Sequence, residues 1–141
     1  IQSLQISLNE GGGPVSKPGH YYWGPSVSWN TYLNCWVMLM GRVESELWKG
    51  SAIYLSYNFN KDLTKGDHAL QWTKPQLILD LKGHTIWYPS IQPMNTPEDI
   101  NNKYTCMRLG KRARLFFKDM WTDENGFQSE YKSEYIIEFN K

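Results

Sequence analysis

Glu44 and Glu46 stand two residues apart in the stretch from Gly41 to Gly50, a spacing that on a strand puts both carboxylates on one face. Close carboxylates raise one pKa and can divide acid and base roles, which makes this pair the candidate for catalysis. The same stretch also reads as a hairpin loop, in which two Glu are simply solvated. Trp23, Trp87 and Tyr88, joined by Tyr21 and Tyr22, offer flat apolar faces with polar edges that suit stacking on sugar rings, or equally packing between strands. Arg42 could add a guanidinium for hydroxyl or carboxylate contacts, unless it merely pairs with Glu44 and Glu46 at the surface. His20 and His84 each precede one of the two Trp by three residues, so both are candidates for polar contacts at the edge of the same site.

Other chemistries find less support. The three His show no local metal-ligand spacing, no Gly-x-Ser-x-Gly elbow occurs, and Gly11 to Gly13 lacks the strand and helix context of a phosphate loop. No cofactor and no metal are therefore expected. Lys103, Arg108, Lys111, Arg112, Arg114 and Lys118 interleave with Tyr104, Phe116 and Phe117, but the run does not match the signature of RNA-recognition sheets. With a formal net charge of +1, no nucleic-acid partner is expected, and Arg114 is instead expected to pair with Asp119 or Glu138. No apolar run reaches the roughly 18 residues of a membrane helix, so the expectation is a soluble chain without a membrane partner. Cys35 in an apolar run and Cys106 in a polar loop lack CxxC spacing and read as free thiols. The opening IQSLQISLNE has neither an initiator Met nor a basic-then-apolar signal pattern, and the compartment stays unassigned.

The elements that must position these residues are strands. Aromatic residues make up 15% of 141 residues, and the apolar text falls into short runs at 32–42, 51–59, 76–81, 113–117 and 134–139. Ile53, Leu55, Tyr57 and Phe59 alternate with smaller or polar neighbours, whereas Trp36 to Met40 is apolar on both faces, as a covered central strand requires. Turn residues at 58–60, 82–83, 93–97 and 124–126 separate the runs, and no helix is expected.

An internal repeat organises the runs. Trp23-Gly24-Pro25-Ser26-Val27 recurs 64 residues later as Trp87-Tyr88-Pro89-Ser90-Ile91, and each copy is followed by a loop, a strong apolar strand and an aromatic strand. Two antiparallel, propeller-like blades result: an N-terminal strand and Gly-rich linker over 1–19, one blade over 20–81 and a second over 82–141, all within a single all-β domain. The second blade lacks an outer strand, which residues 1–8 could supply. Two blades close no ring, so the chain is expected to be part of a larger propeller or to assemble with copies of itself. A β-sandwich of seven or eight strands is the alternative.

The residues Trp23 to Leu33, Trp72-Thr73-Lys74-Pro75 before Leu77 to Asp80, Trp87-Tyr88-Pro89 and Ala113 to Phe117 carry a resemblance. Over about residues 20–140 the chain resembles the last two blades of five-bladed β-propellers related to the family 43 glycoside hydrolases. The resemblance implies a pocket for polysaccharide ends, served in the family by a pair of carboxylates and a third that tunes the acid. Where those acids commonly stand, before the Pro of an inner strand, this sequence has Trp23-Gly24 and Trp87-Tyr88. No catalytic carboxylate carries over by position. The expectation is thus a carbohydrate-recognition or glycoside-hydrolase-related β-propeller portion, not catalytic alone, with a non-catalytic structural or protein-interaction module as the alternative.

Overall fold

The computed structural model describes residues 2–7, 21–44, 48–94 and 108–141. His20, Glu46, Lys103, Tyr104, Cys106 and the Gly11 to Pro14 linker lie outside the described residues. The described chain is all-β, with strands β1 (Gln2–Ser7), β2 (Tyr21–Asn30), β3 (Cys35–Val43), β4 (Ala52–Asn58), β5 (Gln76–Asp80), β6 (Thr85–Pro93), β7 (Arg108–Leu109), β8 (Arg112–Asp123) and β9 (Gly126–Asn140), and a single 3-10 turn at His68–Leu70. No described helix is long and apolar enough to cross a membrane.

Two sheets form, the first ordered β5-β4-β3-β2-β7 and the second β1-β9-β8-β6. Within them β2-β3-β4-β5 and β6-β8-β9 are the two antiparallel meanders that the repeat predicts. The antiparallel expectation fails at two edges. Residues 2–7 do supply the missing strand of the second sheet, but β1 runs parallel to β9, and β7 runs parallel to β2. The short β7 carries Leu109 of the second half into the first sheet, where it is buried, so the halves interlock.

One hydrophobic core joins the sheets. Alternation sends Val37 and Leu39 of β3, Ile53, Leu55 and Tyr57 of β4, Ala113, Leu115 and Phe117 of β8, and Tyr135, Ile137 and Phe139 of β9 into it, closed at one edge by Ile6. As its apolar run on both faces predicts, β3 is the central strand of its sheet.

Each Trp-x-Pro copy interrupts its strand in the same way. Between Trp23 and Ser26 two residues, Gly24 and Pro25, oppose the one between Gly41 and Leu39, and between Trp87 and Ser90 two, Tyr88 and Pro89, oppose the one between Lys118 and Phe116. The first of the two is left-handed in both, at φ 60 for Gly24 and φ 53 for Tyr88. The Pro that follows has no N–H for the ladder, which is why the irregularity falls there. In β6 the extra residue shifts the phase of alternation, so that Ile86 and Ile91, five apart, are both buried.

Candidate functional site

The bulges bring the predicted aromatic residues together. The Trp23 ring lies 5.8 Å from that of Trp87 and 5.4 Å from that of Tyr88, and Trp87 and Tyr88 are 5.9 Å apart. Gly41, opposite Trp23 in the ladder, leaves room for this indole: a Cβ there would stand 3.4 Å from Trp23 Nε1. Trp48 completes the group, 5.3 Å from Trp23, and its carbonyl accepts a hydrogen bond from Trp87 Nε1 at 2.9 Å. Trp48 and Tyr88 are 54% and 56% exposed and both have positive φ, a conformation that bulky residues rarely adopt and that concentrates at functional positions.

Beside this group a cavity of about 580 Å³ opens, within the roughly 300–1,000 Å³ typical of small-ligand sites. Trp87, Trp121 and Phe127 give it aromatic walls. Glu44, Ser51, His84, Thr85 and Thr122 give it polar ones. His84 stacks on Trp121 at 5.4 Å between ring centroids, and its Nδ1 lies 2.7 Å from Oδ1 of Asp119. Asp119 is 1% exposed because the alternation that buries Ala113, Leu115 and Phe117 continues to it. Its other oxygen, Oδ2, has no hydrogen-bond partner and faces Lys132 Nζ at 3.9 Å. Lys132 also pairs with Glu130 and Glu134, and its hydrogen bond to Glu130 holds the ammonium above its ordinary pKa against the opposing effect of burial.

Not every candidate joins the site. Arg42 pairs with Tyr22 in the ladder next to the Trp23 and Gly41 pair, so its side chain leaves by the opposite face of the sheet. There it donates to the Tyr54 hydroxyl at 3.2 Å, while Tyr22 meets the Tyr54 ring edge-on and burial raises the Tyr22 pKa. Tyr21 is exposed. Glu44 is exposed and lines the cavity, and its N–H bonds the Lys49 carbonyl at 2.7 Å in the loop that the sequence suggests. Arg114 pairs with neither acid expected of it. Its Nε donates to the Ser133 carbonyl, and Glu138 is met by Lys111 and Arg112.

Sequence reasoning missed Trp48, Trp121, Phe127 and the role of Asp119. One signal was available for Asp119, since an acid continuing the inward period of Ala113, Leu115 and Phe117 must find a partner indoors. A second, more apolar cavity of about 470 Å³ lies between the two bulges, lined by Pro25, Tyr88, Pro89, Phe116 and Tyr131. The chain matches no protein-family model, no curated protein and no solved structure.

Proposed function

We propose that this chain recognises carbohydrate, as a portion of a glycoside-hydrolase-related β-propeller, and that it binds without cleaving on its own. The observation that carries the reading is the 580 Å³ cavity in which the rings of Trp87 and Phe127 stand beside the hydroxyls of Ser51, Thr85 and Thr122 and the imidazole of His84, which is stacked on Trp121. Pyranose rings present apolar C–H faces and hydroxyl edges, and this pairing of surfaces matches both. Cleavage by two carboxylates requires both to flank the bond. Among the described residues Glu44 is the carboxylate lining the cavity, and Asp119 is committed to His84 and Lys132.

Tryptophan fluorescence titration with neutral mono- and oligosaccharides tests the reading. Saturable quenching is expected, weakened at least tenfold in Trp87→Ala, with no bond cleavage on a glycoside panel. Absence of any saccharide response, with the fold intact, would favour a protein-interaction module, for which exposed Trp48, Tyr88, Phe127 and Tyr131 provide the surface.

A further inference from the structure

The cavity holds one pair of groups whose chemistry is directional. His84 lies in its wall, stacked on Trp121, and turns Nδ1 to the buried Asp119 carboxylate at 2.7 Å. A carboxylate accepts and does not donate, so the proton of that bond belongs to His84 Nδ1. The neutral ring then has its lone pair on Nε2, the ring nitrogen that Asp119 does not engage. We propose that Asp119 locks His84 in this tautomer, so that Nε2 receives a hydrogen bond from a hydroxyl of the bound ligand. The inference rests on the carbohydrate reading and adds which protein atom accepts from the sugar.

The surroundings support the lock. Asp119 cannot turn its charge to water, being 1% exposed, and Oδ2 is satisfied by no hydrogen bond. What holds that second oxygen is Lys132, at 3.9 Å, itself steadied by Glu130 and Glu134 and lying over the Trp121 ring at 5.6 Å. Trp121 thus meets both the imidazole and the ammonium, and its stacking fixes the plane of the His84 ring while Asp119 fixes its rotation. Of the cavity's other polar groups, the three hydroxyls can rotate to donate or accept, while Glu44, which only accepts, and Lys49, which only donates, are exposed side chains that no ring stacking holds in one orientation. A fixed acceptor therefore decides which way a sugar hydroxyl must point.

The test begins on the unmodified protein. Long-range proton–nitrogen NMR correlations of the neutral His84 ring are expected to show Nδ1 protonated and Nε2 bare; a mixture of tautomers, or the Nε2–H form, overturns the lock. Asp119→Asn is then the informative variant. Lys132 attracts the amide oxygen, which turns the NH₂ toward Nδ1 and drives the proton to Nε2. Saccharide affinity should fall about fivefold, the value of one hydrogen bond, with the tautomer reversed in the same spectra. Unchanged affinity in a variant whose tautomer has reversed overturns the acceptor role. Diethyl pyrocarbonate, mapped to His84 by mass spectrometry, reads the Nε2 lone pair without any sugar and should react several-fold more slowly in Asp119→Asn. A locked, reactive ring in a protein that answers no saccharide overturns the carbohydrate reading, and the sugar-accepting role with it. A saccharide response with an unlocked ring overturns this inference alone.

Discussion

Gly50 is the position where one methyl group should cost most. A Cβ on Gly50 would stand 1.7 Å from the Arg42 carbonyl oxygen and 2.8 Å from its carbon, both backbone atoms. Reaching an ordinary contact of 3.4 Å would part the two segments by about 1.7 Å. Two hydrogen bonds anchor this approach, from Glu44 N–H to the Lys49 carbonyl at 2.7 Å and from Ile86 N–H to the Gly50 carbonyl at 2.8 Å, and the second ties the β3 to β4 loop to β6 across the sheets. Losing both at about 1 kcal/mol each, with overpacking of about 1–3 kcal/mol, gives a destabilisation of roughly 3–5 kcal/mol for Gly50→Ala. For a chain of this length that is a fall in Tm of roughly 10–15 °C. Urea and thermal unfolding followed by circular dichroism measure it, with Gly110→Ala as the control, since a Cβ there meets nothing within 4 Å and Gly110 has no positive φ. The control should stay within about 0.5 kcal/mol of the parent. A Gly50→Ala protein as stable as the control would refute the close approach and with it the placement of the loop that floors the cavity.

Other outcomes follow from the same structure. Asn30 is fully buried, accepts from Leu33 N–H at 2.9 Å and donates to the Gly110 carbonyl at 3.2 Å, so Asn30→Ala should cost about 2–3 kcal/mol in urea unfolding; a cost under about 0.5 kcal/mol would contradict it. Burial pushes the Cys35 thiol from 9.0 up to about 12, and the Tyr57 hydroxyl also rises above its ordinary 10.0 through burial. Both groups release protons more readily unfolded than folded, so their contribution is intact below about pH 9 and declines as pH climbs toward 12, by at most about 1.4 kcal/mol per pH unit for each group. Urea midpoints should be lower near pH 10.5 than near pH 8, and an equal or higher alkaline midpoint would show that these groups are not buried as described. Native Cys35 should likewise resist thiol reagents until urea unfolds the chain.

The strands were legible where hydrophobicity marks them. The runs at 51–59 and 76–81 lie within a residue or two of β4 and β5, and the doubled apolar faces of Trp36 to Met40 placed β3 at the centre of its sheet. The lengths of β8 and β9 were not. Beyond Phe117 the hairpin continues through Trp121, Thr122, Gln128 and Glu130, polar or solvent-facing residues held by backbone pairing about a two-residue turn, with Gly126 at φ 97. Parallel pairing of β1 and β7 also leaves no mark in composition, because period-two alternation looks the same in either direction. In the site, the repeat pointed to Trp23, Trp87 and Tyr88, and the structure joins them. Arg42 was misassigned to that group because a single register step reverses the face of a strand residue. Trp48 and Trp121 come from other elements, and only the fold brings them near.

If a saccharide occupies the cavity walled by Trp87 and Trp121, the indole N–H region of a proton–nitrogen spectrum must register it. Trp87 donates to the Trp48 carbonyl and Trp121 to the Asp123 carboxylate, whereas Trp36 and Trp72 donate to the Lys61 and Ala69 carbonyls away from the cavity. Saturating saccharide is predicted to move the Trp87 and Trp121 signals and leave those of Trp36 and Trp72 in place. A spectrum in which no indole moves, or in which only Trp36 and Trp72 move, would contradict the account.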